Sequence, residues 1–150
     1  MSLFSLRPFS PECIPALLEL HAANAAFYPE GDQERYCQSL LELQGLFLCL
    51  YDQDFLIAAG GLQKHQDYWW LHSLDVHPSR QRQGWGRRLI TALLASLDSE
   101  GDEICTVGLN STPSAEAFYR RLGFTAYLID DGFLHFYRHI HPADLRRLKT

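Results

Sequence analysis

Four arginines, Arg80, Arg82, Arg87 and Arg88, fall within nine residues around a glycine pair spaced Gly84-x-Gly86. Glycine removes the Cβ that would hold a ligand off the backbone. An amphipathic run follows, with Leu89, Ile90, Leu93, Leu94 and Leu97 on one face of a 3.6-residue period. A helix that starts at these glycines presents N–H groups with no partner and roughly half a positive charge. That is an anion site, most naturally for phosphate, and forked guanidinium groups add donors and charge. The whole chain carries 13 Lys and Arg against 18 Asp and Glu, a net charge of −5. The basic cluster is therefore local, which argues against nucleic-acid binding. The Gly-x4-Gly-Lys-Ser/Thr phosphate loop is absent, and the dinucleotide pattern G-x-G-x-x-G fails at its third glycine, where Leu89 stands. Arginines on both sides of the glycines suit a pyrophosphate better than a single phosphoryl group.

Two stretches carry a family resemblance. Gln81-Arg82-Gln83-Gly84-Trp85-Gly86 resembles the Q/R-x-x-G-x-G/A signature of the GNAT family of N-acetyltransferases, and Val76-His77-Pro78 resembles that family's V-x-P lead-in. The stretch from Thr112 to Phe124 resembles the second signature, N-x-x-A-x-x-x-Y-x-x-x-G-F, with Ala115, Tyr119, Gly123 and Phe124 matching. Thr112 stands in place of the asparagine and lacks its amide donor. The resemblance implies acetyl-CoA as cosubstrate, with no metal. The pyrophosphate would lie on the backbone of Gln81, Arg82, Gln83, Gly84, Trp85 and Gly86, with Arg87 beside it. Backbone groups of Leu74 and Val76 would hold the thioester and the pantetheine arm, which would run alongside like an added strand. Thr112, Ala115 and Tyr119 would complete the cofactor contacts.

The same resemblance assigns the proton transfers. The family's commonest general base is a glutamate on the strand that ends at the valine. Here the position four before Val76 is His72, a competent acceptor near neutral pH. Glu30, in the loop that walls the acceptor pocket, is the second candidate. Tyr119 would protonate the departing thiolate. Phe27, Tyr28, Glu30 and Asp32 are candidates for acceptor contacts, and the acidic group Glu30, Asp32 and Glu34 suggests a cationic amine. The acceptor is expected to be an amine of a small molecule or a peptide. The alternative, motivated by His72 and Thr112, is a regulatory module that binds CoA without turnover.

The elements that must position these groups follow from periodicity and punctuation. A short strand over Leu3–Arg7 precedes a helix capped by Ser10 with Pro11 at its first position. Ile14, Leu17, Leu18 and His21 line one helix face, and a second helix covers Asp32–Leu43. Leu46–Tyr51 and Phe55–Gln63 form a hairpin, with Gly60-Gly61 marking a bulge or a close backbone approach. Tyr68–Val76 is a strand on which alternation puts His72, Leu74 and Val76 on one face, with Trp69 and Trp70 on opposite sides. Beyond the arginine-flanked helix, Gly101 caps it and Glu103–Leu109 is a strand. A helix over 113–122 is capped by Thr112 and ended by Gly123, and a last hairpin turns at Asp130-Asp131-Gly132.

The predicted fold is α/β: the GNAT fold, a mixed, strongly twisted sheet of about seven strands with four helices on its two faces. By the resemblance, the fourth and fifth strands splay apart to admit the cofactor. All 150 residues are expected to form one domain. No apolar run approaches the ~20 residues of a membrane helix, and no signal peptide is recognised. The four cysteines make no C-x-x-C pair and read as reduced thiols of a cytoplasmic protein. His139-x-His141 is too sparse for a metal site. Homodimerisation stays open.

Overall fold

The computed structural model describes residues 4–28, 31–97 and 104–149. Its strands are β1 (Phe4–Pro8), β2 (Leu46–Asp52), β3 (Phe55–Lys64), β4 (Trp69–Val76), β5 (Cys105–Ser111), β6 (Thr125–Asp130) and β7 (Phe133–Ile140). Its helices are α1 (Ile14–Ala23), α2 (Asp32–Leu41), α3 (Trp85–Ala95), α4 (Glu116–Arg121) and α5 (Pro142–Lys149). The strands form one mixed sheet in the order β1-β2-β3-β4-β5-β7-β6. The expected seven strands are present, and five helices replace the expected four. The extra one is α5, which buries Leu145 and so is a packed element rather than a frayed tail. The expected Gly101 cap and the strand start at Glu103 lie outside the described residues, as does Leu3.

The chain divides into two compact units, the first comprising Met1–Gly61 and Ser73–Leu93, the second Leu62–His72 and Leu94–Thr150. In the first unit β1 runs antiparallel to β2 from Phe4↔Asp52 to Pro8↔Leu48. The inward stripes of α1 and α2, Leu17 and Leu20 with Tyr36 and Leu40, join Phe47, Cys49, Tyr51, Leu56 and Ala59 in one core. This is what a 3.6-residue apolar period accomplishes: each buried leucine contributes about 1.5–3 kcal/mol. Gly60 is the close approach read from Gly60-Gly61, since a Cβ there would stand 3.0 Å from Leu74 Cδ1. In α3 the predicted stripe Leu89, Ile90, Leu93 and Leu94 is buried throughout, as is Leu97 beyond it.

In the second unit β4 pairs parallel with β5 at Trp69↔Val107 and Trp70↔Gly108. Gly108 leaves room for the Trp70 ring, whose carbons would lie 3.3 Å from a Cβ at that position. β5 and β7 pair antiparallel from Cys105↔Ile140 to Ser111↔Leu134. The β6–β7 connection has Asp131 at φ 49° and Gly132 at φ 78°. Positive φ at both central residues is the type I′ hairpin turn, whose twist suits the flanking strands.

Two expected caps differ. Ser10 and Thr112 make no side-chain bond to a helix N–H. Each is followed by a one-turn 3-10 helix, Pro11–Cys13 and Pro113–Ala115, before the α-helix proper. Their hydroxyls turn elsewhere: Ser10 Oγ lies 3.5 Å from Cys13 Sγ, and Thr112 Oγ1 lies 3.0 Å from Ser114 Oγ. The end of α4 is better formed. Gly123, at φ 89°, donates its N–H to Arg120 O (3.0 Å), and Phe124 donates to Tyr119 O (3.1 Å). These two bonds make a Schellman motif, with a Tyr119–Phe124 ring contact at 6.0 Å as its apolar clasp. Arg138 Nη1 donates to Leu122 O (3.0 Å) and supplies positive charge at the helix end. A Cβ at Gly123 would meet Arg138 only at ordinary contact distance, so the constraint there is conformational. Gly123→Ala is therefore expected to cost about 1–3 kcal/mol from the left-handed backbone, measurable as a lower urea midpoint with an unchanged m-value.

Candidate functional site

The loop between β4 and α3 is built from its own hydrogen bonds. His77 donates its N–H to Ile57 O (2.7 Å), and its Nδ1 accepts from Ser79 N (3.2 Å). A short 3-10 turn, Pro78–Arg80, follows. Gln81 Nε2 then donates to both Val76 O (3.0 Å) and Asn24 Oδ1 (3.1 Å), tying the loop to the end of β4 and to the end of α1. Arg82 (φ 64°) and Gly84 (φ 87°) are both left-handed. Alternation of left-handed with ordinary residues is the backbone form from which anion-binding concavities are made. Gly84 is exposed, with open space where a Cβ would stand. Arg88 N donates to Gly84 O (3.0 Å), so α3 starts directly after it. The glycines thus do introduce a helix of eleven residues, as their spacing implied.

The side chains of the loop divide. Arg82 and Arg87 are exposed. Arg88 lies over the Trp85 ring at 5.6 Å, and Trp85 Nε1 donates to Gln83 Oε1 (3.2 Å). Arg80 belongs elsewhere: it pairs with Asp52 (2.9 Å) and lies over Phe55, so the expected group of four arginines is reduced at its first member. The physical reason is local, because the 3-10 turn places Arg80 against the β2–β3 hairpin, where a half-buried carboxylate is in reach. The side-chain amide of Gln81 fastens the loop, and the expectation for this residue concerns its backbone alone.

Below this loop is a polar cluster that the sequence reading did not assemble. Asp75, in β4, is 3% exposed, and His21, in α1, is also 3% exposed. His21 Nδ1 lies 2.9 Å from Asp75 Oδ2, and its Nε2 lies 2.9 Å from Asp32 Oδ2 at the start of α2. Tyr28 donates its hydroxyl to Asp75 Oδ1. The imidazole is sandwiched by Tyr36, stacked at 4.0 Å and 7°, and Tyr28, at 4.2 Å. Burial opposes protonation of His21, but the hydrogen bonds and charges of Asp75 and Asp32 outweigh it and raise the pKa. Burial, reinforced by the Asp75 charge, pushes the Tyr36 phenol up and keeps it neutral. Asn24, likewise buried, bonds Leu20 O (3.0 Å) and receives Gln81. Of the acceptor candidates, Tyr28 and Asp32 meet in this cluster; Glu30 lies outside the described residues, as does the side chain of Phe27. A carboxylate inside the apolar strand Leu74-Asp75-Val76 was the available signal, since such a group must find a partner.

The expected alternation along β4 does not hold throughout. Ser73 is left-handed at φ 57°, which interrupts the pleat, so His72 cannot be assigned to the face of Leu74 and Val76 by counting. His72 belongs to the second unit. It is half-buried, and burial with a smaller repulsion from His65 lowers its pKa, so it is neutral at pH 7. Trp69 takes the Lys64 ammonium over its ring at 5.4 Å, while Trp70 packs at Gly108. Tyr119, in α4, is buried against Phe118, Phe124 and Phe136, at ring distances of 5.0, 6.0 and 5.8 Å. Thr112 precedes the 3-10 turn that leads into α4, and Ala115 is the last residue of that turn. His139 Nδ1 lies 2.9 Å from Thr106 Oγ1. Among the described residues no group of three or more His, Cys, Asp or Glu is placed to hold a metal ion, and no helix is long and apolar enough to cross a membrane.

Comparison with known proteins follows this geometry. The family model for the acetyltransferase (GNAT) domain matches residues 9–135, and the chain belongs to that family. A GNAT-family acetyltransferase from Staphylococcus aureus Mu50 is similar in fold, with a TM-score of 0.72 and 15% identity over 91% of this chain and 99% of that one. The PaiA N-acetyltransferase of Thermoplasma acidophilum, solved in complex with coenzyme A, has a TM-score of 0.66 and 17% identity over 90% and 98%. The ribosomal-protein-S18-alanine N-acetyltransferase of Escherichia coli has a TM-score of 0.68 and 21% identity over 92% and 93%. No curated protein matches the sequence.

The His21 cluster makes two predictions. Asp75→Ala leaves the buried His21 ring without its main partner and is expected to cost about 3–5 kcal/mol in denaturant unfolding. The second concerns pH. Folded His21 holds its proton to higher pH than the unfolded chain does, so its contribution is fully present below 6.5 and is lost as pH rises through its folded value. His72 acts in the other window: its folded value is depressed, so its contribution is present above 6.5 and fades as pH falls. The stability difference between wild type and His21→Gln should therefore shrink as pH is raised from 6.5. A difference that grows or stays level over that range contradicts the assigned protonation.

Proposed function

We propose that this GNAT-family chain is an acetyl-CoA-dependent N-acetyltransferase acting on an amine of a small molecule or a peptide by direct attack, with residues 1–150 as one catalytic domain. The observation that carries the reading is the pair of left-handed residues, Arg82 and Gly84, in the loop that runs straight into α3. An open, Cβ-free approach, a helix start and two exposed arginines fit a pyrophosphate. Under this reading the backbone of Gln81, Arg82, Gln83, Gly84, Trp85 and Gly86 holds the diphosphate, and Arg82 and Arg87 add charge. Leu74 and Val76 offer backbone groups to the pantetheine arm, and Thr112, Ala115 and Tyr119 complete its contacts. Bound acetyl-CoA supplies an activated thioester; the chain supplies orientation and proton handling.

An amine of pKa ~10 arrives protonated at neutral pH. His72, neutral at pH 7 because it is buried, accepts that proton directly or through water; Glu30 is the other candidate. Tyr119 donates its phenolic proton to the leaving sulfur. That assignment rests on its place in the Y-x-x-x-G-F motif and on the Schellman turn that holds its backbone. Asp32 and Glu34, in the first turn of α2, favour a cationic acceptor. Free thiols at all four cysteines suit a reducing cytoplasm.

The test is a panel of amines, including N-terminal peptides and polyamines, assayed for acetyl-CoA consumption, with calorimetry for CoA itself. CoA is expected to bind and to raise the unfolding free energy by about 2.7 kcal/mol at a concentration 100 times its Kd. Tyr119→Phe should lower kcat by roughly 10²-fold with little change in CoA affinity. His72→Ala should remove the acid limb of the kcat/KM profile. Absence of CoA binding overturns the whole reading. CoA binding with no acetylated amine across the panel favours the non-catalytic regulatory module instead.

A further inference from the structure

Two cysteines outside the proposed site stand together. Cys13 ends the 3-10 turn before α1, and Cys49 lies in β2, in register with Arg7 of β1. Cys49 is fully buried in the core of the first unit, and Cys13, half-buried, packs against that same cluster. The cluster that Cys13 packs against contains both Cys49 and Tyr51, and each of these two groups acts on the acidity of the Cys13 thiol. Ser10 Oγ completes the ring around Cys13 at 3.5 Å from its Sγ. A half-buried sulfur with a hydroxyl at 3.5 Å and a second thiol in the same cluster is the arrangement of a reactive cysteine with its resolving partner.

We propose that Cys13 and Cys49 are a modification site, forming a reversible intramolecular disulfide when the protein meets a peroxide. The order of events follows from the surroundings. Burial works against the Cys13 thiolate, but the hydrogen bonds from Tyr51, Ser10 and Cys49 outweigh it and bring the thiol below its ordinary range. Burial, with the neighbouring Cys13, pushes the Cys49 thiol up to about 12. Cys13 is therefore the nucleophile: its thiolate attacks one peroxide oxygen, the O–O bond breaks, and hydroxide leaves to become water. The resulting sulfenic acid is attacked by Cys49, which loses its proton as the S–S bond forms and the second oxygen departs as water. Two thiols are oxidised to one disulfide, and one peroxide is reduced to two waters. The bond closes a loop from residue 13 to residue 49, which contains α1 and α2 and with them His21 and Asp32. A cross-link of that span restricts the unfolded chain and raises the melting temperature.

The test treats the full-length protein with hydrogen peroxide, blocks remaining thiols by alkylation, and maps peptides by mass spectrometry with and without dithiothreitol. The expected product is a single peptide pair linked through Cys13 and Cys49, with Cys37 and Cys105 alkylated, a raised melting temperature, and complete reversal by dithiothreitol. Cys13→Ser should abolish the link and the melting shift while leaving Cys49 alkylatable after unfolding. Because Cys13 is half-buried, this variant is expected to fold; the wild-type peptide map decides the matter if it does not. Four alkylated thiols after peroxide, a sulfinic or sulfonic acid at Cys13 without a cross-link, or a link to Cys37 or Cys105 would each overturn the proposal.

Discussion

A buried carboxylate sets the terms for the first unit. Asp75 sits in the middle of an apolar strand at 3% exposure, and an isolated charge there would cost several kcal/mol. It is tolerated because His21 and Tyr28 each bring a hydrogen bond to a different oxygen. His21 in turn is satisfied at its other nitrogen by Asp32. The result is that α1, the segment after it, the start of α2 and the end of β4 are held at one point by groups whose geometry is narrow. A hydrophobic contact would permit sliding; a doubly bonded imidazole against one stacked and one tilted tyrosine does not. The segment that family resemblance assigns to the acceptor is thus fixed from beneath, and half-exposed Asp32 presents a carboxylate whose inner oxygen is already engaged.

The arginine-bearing loop between β4 and α3 is fastened to the same scaffold by neutral groups. Gln81 bridges Val76 O and Asn24, and Asn24 is anchored to Leu20 O one turn back. The C-terminal end of α1 therefore supports both the polar cluster and the arginine-bearing loop. This division of labour is physically sensible. Charged partners are spent where the dielectric is low, and a neutral amide clasp fastens the part-buried start of the loop.

Much of the fold was legible because it is written in periodicity. The stripe of α3, the hairpin at Asp131-Gly132, the close approach at Gly60 and the helix start after Gly84 all follow from spacing or from glycine alone. What was not legible depends on tertiary partners. Arg80 looked like a phosphate ligand until Asp52 was found beside it. Ser10 and Thr112 looked like caps, but the turns they open are 3-10 turns and their hydroxyls found nearer partners. Ser73 gave no warning of a left-handed backbone, since serine is not a residue that signals one, and the strand alternation past it was lost. His21 read as one more inward position on a helix, and only its distance to Asp75, 54 residues away in sequence, reveals its role.

The second family signature illustrates how a motif can encode position as well as chemistry. Its tyrosine, glycine and phenylalanine are the C3, C′ and C″ positions of one Schellman turn. Gly123 is needed because its φ is 89°, a conformation costly to any residue with a Cβ. Phe124 is needed because its N–H and its ring both return to Tyr119, the N–H at 3.1 Å to the carbonyl and the ring at 6.0 Å. Tyr119 is thereby held from two sides within its own helix end, and Phe136 closes a third. The proposed role of Tyr119 as proton donor fits such confinement, because the orientation is settled by folding rather than by ligand binding. The spacing Y-x-x-x-G-F is then what a helix of 3.6 residues per turn requires if one aromatic ring is to be locked by the turn that ends it.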